Sequence, residues 1–348
     1  MRRVLPLPDF GRFRSRSSRS RSDVRGRVYG EPVSTPTTTG RLSTRVIIAI
    51  TITILAWASA FIVIRGTAPY FSGGALALAR LVVGTVLLGI VVLAGRRWVK
   101  PTAREWLQLA GFGILWFGAY NIALNVAEQT LDAGTTAMIV GVGPILIALG
   151  AALFLREGLS KWLAIGTGVA FLGVLLIGFA SGGAELGVSG ILWALLAAVT
   201  YAAGVLLQKP TLRRLPNAQV TWLGCTIGML VCLPFAGELI TGLQSAPVHA
   251  VVGAVYLGAV PTALAFSTWA YALSRMPAGQ LGISTYIVPP LAIVMGLIVF
   301  AEVPAPLAIV GGVLSLVGVA LSRRRGAVAS IQGSSSEPVS APAKTVAE

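Results

Sequence analysis

From residue 46 to residue 321 the chain is a succession of apolar runs, each closed by a short polar or proline-bearing connection. The runs cover residues 46–64, 72–93, 106–127, 133–155, 162–180, 188–207, 219–240, 250–273, 279–300 and 306–321. At 1.5 Å of rise per residue, about 20 apolar residues carry an α-helix across the roughly 30 Å hydrocarbon core of a bilayer. The pattern therefore predicts an all-α integral membrane protein with ten transmembrane helices. A transmembrane barrel would show short strands of alternating polarity instead. Residues 1–45 have no apolar period and read as a disordered basic tail, and residues 322–348 form a second tail.

The chain also repeats itself. Residues 133–177 can be laid on 278–322 without a gap at an offset of 145, which sets Pro144 on Pro289 and Glu157 on Glu302. Gly134 and Gly279, Leu146 and Leu291, Gly166 and Gly311, and Gly173 and Gly318 keep the same offset. Proline and glutamate are scarce in apolar surroundings, so those two pairs carry the match. A fainter correspondence sets Trp57 and Arg65 on Tyr201 and Lys209 at an offset of 144. Residues 46–180 and 188–321 thus read as two similar five-helix halves. An odd number of crossings per half turns the second half upside down, giving two inverted five-helix repeats.

Composition and charge sharpen this picture. Hydrophobic residues make up 55% of the chain and charged ones 11%, with a mean hydropathy of +0.82, too little polar surface for a soluble protein. Arg96, Arg97, Lys100, Arg104, Arg156, Lys161, Lys209, Arg213, Arg214 and Arg275 fall in one set of connections, and Arg323, Arg324 and Arg325 in the C-terminal tail. The opposite set holds Glu128, Asp132, Glu185, Glu238 and Glu302, with Arg65 as its main basic exception. By the positive-inside rule both termini are cytoplasmic and the chain is a multi-pass protein of the cell membrane. Glu157 and Glu302 then fall at helix ends on opposite faces. They read as capping groups, or as gates, one per face.

The net charge of +15 is not a nucleic-acid signature, because eleven of the 27 basic residues are arginines ahead of Val46. A basic tail beside a first span orients the chain and attracts anionic lipid. Cys225 and Cys232, seven residues apart in one run, would stand roughly 10 Å apart on a helix, too far for a disulfide. His249 is the single histidine, so no metal site, cofactor or catalytic cluster is expected. The connections hold no Walker A, G-x-S-x-G or Glu-x-x-His motif and are too short for an ATPase domain.

Several polar residues stand out within the apolar runs. Arg80 lies deep in the second run, where a charge costs about 2.5–3.5 kcal/mol on insertion scales. It either fixes packing through backbone carbonyls or meets an anionic ligand. In the third run Phe117, Asn121, Asn125 and Glu128 form one stripe, facing protein or a wet cavity, with Trp116 and Tyr120 as an aromatic wall or as packing. Pro144, after Gly141 and Gly143, and the pair Pro289–Pro290, after Ser284 and Tyr286, remove backbone donors in mid-run and predict matched kinks or breaks. Trp57, Thr200, Tyr201, Thr262, Ser267, Trp269 and Tyr271 complete the residues expected around a cavity.

Trp57-x₇-Arg65, Arg80 within Ala-Leu-Ala-Arg-Leu, Pro144 with Glu157 and Pro289 with Glu302 resemble the drug/metabolite transporter superfamily, and most closely its EamA-type family. The resemblance spans the whole membrane domain. It implies a central cavity lined by helices 1–4 and 6–9, with helices 5 and 10 peripheral, and export of small metabolites. On that basis the expected activity is secondary transport of a small polar or amphipathic solute by alternating access. Arg80 points to amino-acid-like or other carboxylate solutes. A membrane-embedded enzyme or lipid-handling protein is the competing class. The expected partners are the small-molecule solute and membrane lipid, not nucleic acid, with a homodimer left open.

Overall fold

The computed structural model describes residues 43–154, isolated positions between 162 and 176, then 185–276 and 278–322. Glu157 and most of the fifth predicted span lie outside the described residues. Among those described there are helices and no strands. We number them α1 Thr44–Thr67, α2 Gly73–Gly95, α3 Ala103–Ala127, α4 Ala133–Val140, α5 Gly143–Phe154 and α6 Glu185–Thr211. After these come α7 Asn217–Ser245, α8 Val248–Leu273, α9 Ala278–Ser284, α10 Val288–Phe300 and α11 Pro306–Ser322. All belong to one compact unit beginning at Leu42.

Six helices, α1, α2, α3, α6, α7 and α8, are long and apolar enough to cross a membrane, and shorter apolar helices accompany them. Large side chains such as Val86, Leu93, Val248 and Ile298 stand exposed on their outer faces. In water such a surface would drive association, whereas acyl chains solvate it.

Helix starts arise from local chemistry. The Ser72 hydroxyl accepts the Ala75 amide at α2, and the Asp132 carboxylate accepts the Thr135 amide at α4. Thr102 and Glu105 form a reciprocal capping box at α3, each satisfying a main-chain donor that the first turn leaves free.

Two pairs of irregularities recur at the repeat offset. α3 widens into a π-helical stretch at Gly113–Ala119 and α8 does so at Gly258–Leu264, 145 residues on. In α8 the cause is Pro261, which has no N–H to give the Leu257 carbonyl; the Thr262 hydroxyl takes that carbonyl instead, at 2.8 Å. In α3 the Asn121 amide donates to the Phe117 and Trp116 carbonyls at 2.7 and 3.3 Å. The second pair is a break. A turn at residues 141–142 separates α4 from α5, with Pro144 second in α5. A 3-10 turn at Thr285–Ile287 separates α9 from α10, with Pro289 and Pro290 at the start of α10.

Successive long helices run in opposite directions, so their connections gather at two ends. At one, Arg65 at the close of α1 donates through Nε and Nη2 to Glu302 Oε1, at 3.0 and 2.9 Å, and through Nη1 to the Glu128 carbonyl at 3.2 Å. At the other, Lys209 near the close of α6 donates to the Leu273 and Met276 carbonyls. Lys209 comes 144 residues after Arg65 and Leu273 comes 145 after Glu128, so the two cations clasp corresponding carbonyls at opposite ends. Arg214 adds an ion pair with Glu105 and a 2.8 Å bond to the Lys100 carbonyl at the Lys209 end.

Candidate functional site

A small cavity lies among α1, α2, α3, α4, α6, α8 and the breaks beside α5 and α10. Its wall is mostly apolar and aromatic. Trp57 of α1, Trp116 of α3, Tyr201 of α6 and Phe266 of α8 form one side, with ring centroids 5.0 Å apart for Trp116 and Phe266 and 5.1 Å for Trp116 and Tyr201. Trp57 and Tyr201 are the repeat-related pair, so both halves place an aromatic residue at the same point of the wall. The Trp57 indole donates to the Pro261 carbonyl at 3.3 Å, tying the wall to the π-helical stretch of α8.

Arg80 is the charged member of this wall, and it is 2% exposed. Its Nε donates to the Thr262 hydroxyl at 3.1 Å, while buried Nη1 has no hydrogen-bond partner. The close approach of α2 and α8 that makes the Thr262 contact depends on Gly258, where a Cβ would lie 2.5 Å from Val83 Cβ and 2.7 Å from the Arg80 carbonyl. On α7 the residue at the repeat offset of 144 from Arg80 is Gly224, whose missing side chain makes room for Phe112 and Phe117. One half supplies a cation and the other supplies close packing, so the cavity is chemically lopsided.

The residues singled out in the sequence separate into three groups. Trp57, Arg80, Trp116, Tyr120, Tyr201 and Pro289 line the cavity. Thr262 and Trp269 stand behind the wall, the first on Arg80 and the second with its ring 5.0 Å from Trp57. Asn121 and Asn125 are fully enclosed and turn to main chain: Asn121 repairs the π-helical stretch, and Asn125 donates to the Gly73 carbonyl at 2.9 Å. At the second break the cavity takes Thr285. Ser284 bonds back to the Leu281 carbonyl at 2.6 Å and Tyr286 packs against Ile145, since a 3-10 turn points only one residue in three inward. Pro144 is buried at the start of α5 and Pro290 is exposed.

Glu302 is 28% exposed and paired with Arg65. Val140 and Gly141, ahead of Pro144, also line the cavity, so both breaks open onto it. Cys225 and Cys232 are buried and unpaired. Among the described residues no group of three or more His, Cys, Asp or Glu side chains converges as for a metal ion.

Long apolar helices, breaks that open onto an interior cavity and a buried cation on its wall define a membrane transport protein. The chain belongs to the EamA-like transporter family, whose model matches it twice, at residues 44–179 and 188–324. A probable terminal-alkyne amino-acid exporter of Streptantibioticus cattleyicolor is 36% identical over 80% of this chain and 93% of its own length. The uncharacterized transporter YdfC of Bacillus subtilis is 35% identical over 79% and 90%. A probable amino-acid metabolite efflux pump of Salmonella typhimurium is 24% identical over 61% and 74%. A solved crystal structure shares the fold, with a TM-score of 0.56 at 20% identity, covering 81% of this chain and 98% of the other.

Proposed function

We propose that the chain exports a small amino-acid-like carboxylate by alternating access, through ten spans in two inverted halves with both termini in the cytoplasm. Arg80 carries the reading. Its Nη1 is buried without a partner on the wall of an otherwise apolar and aromatic cavity. A carboxylate is the simplest group that completes such a guanidinium. The aromatic side of the wall suits the apolar body of the same solute, a combination usual for small-molecule sites. One relative named as an amino-acid exporter and one named as an amino-acid metabolite efflux pump agree with this class.

Charge supports the orientation. The Lys209 end gathers Arg96, Arg97, Lys100, Arg104, Lys209, Arg213, Arg214 and Arg275, and the Arg65 end gathers Glu128, Asp132, Glu238 and Glu302. The basic end is cytoplasmic, which puts the Arg65 clasp on the outer face. The breaks beside Pro144 and Pro289 are the points about which the cavity changes sides.

The test is flux from proteoliposomes loaded with a radiolabelled mixture of the common amino acids. The wild-type protein empties at least one of them faster than protein-free vesicles. A hydrogen bond to a charged group is worth about 1.5–3 kcal/mol, so Arg80→Gln slows that flux about tenfold or more at subsaturating load. Arg80→Lys recovers only part of it, because an ammonium cannot grip a carboxylate with a planar fork. Flux unchanged in inserted Arg80→Gln protein contradicts the proposal.

A further inference from the structure

Glu128 comes directly after Ala127, the last residue of α3, and has no solvent exposure. Neither carboxyl oxygen has a hydrogen-bond partner. An ionised carboxylate enclosed in this way forfeits its hydration, a loss that binding a proton avoids. Burial dominates its surroundings and pushes its pKa well above the usual carboxylate range, against the pull of Arg65 and Arg80. The charged groups acting on it are Arg65 of α1, Arg80 of α2, Asp132 ahead of α4 and Glu302 beyond α10, with Tyr120 on its own helix.

Its position is informative. Tyr120 and Leu124 line the cavity, and Glu128 continues their i, i+4 stripe one turn further, towards the Arg65 end. There Arg65 bonds the side chain of Glu302 but only the main chain of Glu128. One guanidinium thus stands between two carboxyl groups and satisfies one of them.

We infer that Glu128 is a proton-binding site that sets whether the Arg65 end is open. While Arg65 holds Glu302, the Glu128 carboxyl keeps its proton. When this end opens, the O–H bond breaks, the proton passes to water, and Arg65 turns to the new carboxylate as Glu302 becomes solvated. The guanidinium keeps its charge throughout. Two nearby arginines disfavour a metal cation in the same place, so the ligand is the proton. The assignment of the outer face rests on the orientation proposed for the chain as an exporter.

The sign comes from linkage. The closed form holds the Glu128 proton more tightly than the open form, in which the carboxylate is hydrated and paired with Arg65. Acid therefore favours the closed end, and each pH unit between the two pKa values shifts the balance tenfold towards opening.

Spin labels on the exposed positions Thr130 and Val303, each changed to cysteine in full-length protein with Cys225 and Cys232 replaced by serine, report the width of this end in nanodiscs. From about pH 5 to about pH 9, a span that covers documented buried carboxyls, the wild-type distance distribution gains a longer component. Glu128→Gln, permanently neutral, keeps the short distance throughout, and Glu302→Gln, which removes the competing carboxylate, opens at lower pH than wild type. A Glu128→Gln protein that opens with pH as wild type does, or a Glu302→Gln protein with an unshifted transition, overturns the proposal. In vesicles loaded with the amino-acid mixture, acidifying the side facing the Arg65 end slows flux in wild type, and Glu128→Gln, held shut at that end, moves little at any pH. Labels that respond to pH in vesicles that move no amino acid contradict the solute class and uphold the proton site. Flux with labels blind to pH does the reverse.

Discussion

Arg80 and Gly224 occupy corresponding places in the two halves and do opposite things. Arg80 keeps one bond, to Thr262, and leaves Nη1 unpaired. Gly224 lets Phe112 come so close that a Cβ there would lie 2.3 Å from its ring. Gly224→Val therefore strains the packing of α3 on α7, at a cost of about 1–3 kcal/mol, and lowers the melting temperature of the purified protein. A Gly224→Val protein as stable as wild type would show that the two helices can part freely. Arg80 was legible in the sequence because a charge inside an apolar run has few explanations. Glu128 was visible as the end of a polar stripe, but its enclosure was not. At the end of a run, sequence cannot tell water from a roof of protein supplied by Arg65 and Glu302.

At the level of elements, the π-helical stretches control which side chains reach the cavity. Each holds one residue more than an α-helical path would need, which rotates the later part of the helix by about 100° relative to the earlier part. Deleting Ile114, which faces outward, lets Gly113–Ala119 close into α-helix and swings the earlier part of α3 against Trp116, Tyr120 and Leu124. The deletion variant is expected to insert and to lose amino-acid flux by tenfold or more in the same vesicle assay. Flux at the wild-type rate would mean that the π register is incidental. Neither stretch was read from the sequence: Pro261 lies in the one in α8, and nothing in Gly113–Ala119 announces its twin, since no proline or charge marks it. The breaks were easier to read. Paired prolines at a fixed offset in apolar surroundings leave main-chain groups that a straight helix cannot satisfy, and residues 141–142 and 285–287 are where the helices are interrupted.

The molecule as a whole is arranged around two unlike ends. Arg65 and Lys209, carried by corresponding helices, clasp corresponding carbonyls, one end acidic around its cation and the other basic. Loop charge made the two unlike ends readable from the chain alone, because an excess of basic residues in alternate connections gives each end a sign. Which atoms each cation grips was not readable, since Glu128, Leu273 and Met276 contribute main-chain oxygens that carry no side-chain signal. The proposed orientation, with both termini cytoplasmic, predicts that green fluorescent protein fused after Glu348 fluoresces and that alkaline phosphatase at the same point is inactive. The opposite pair of results would invert the ends and with them the face on which the proton site opens.

The central claim is that a carboxylate solute completes Arg80, and competition between an acid and its amide tests it most directly. An amino acid moved by the vesicles is competed with its own unlabelled free acid and with its carboxamide, which has nearly the same shape and no negative charge. The account predicts that wild-type protein prefers the acid about tenfold or more, the worth of a charged hydrogen bond, and that Arg80→Gln removes the preference. Equal competition by acid and amide in the wild-type protein would contradict it.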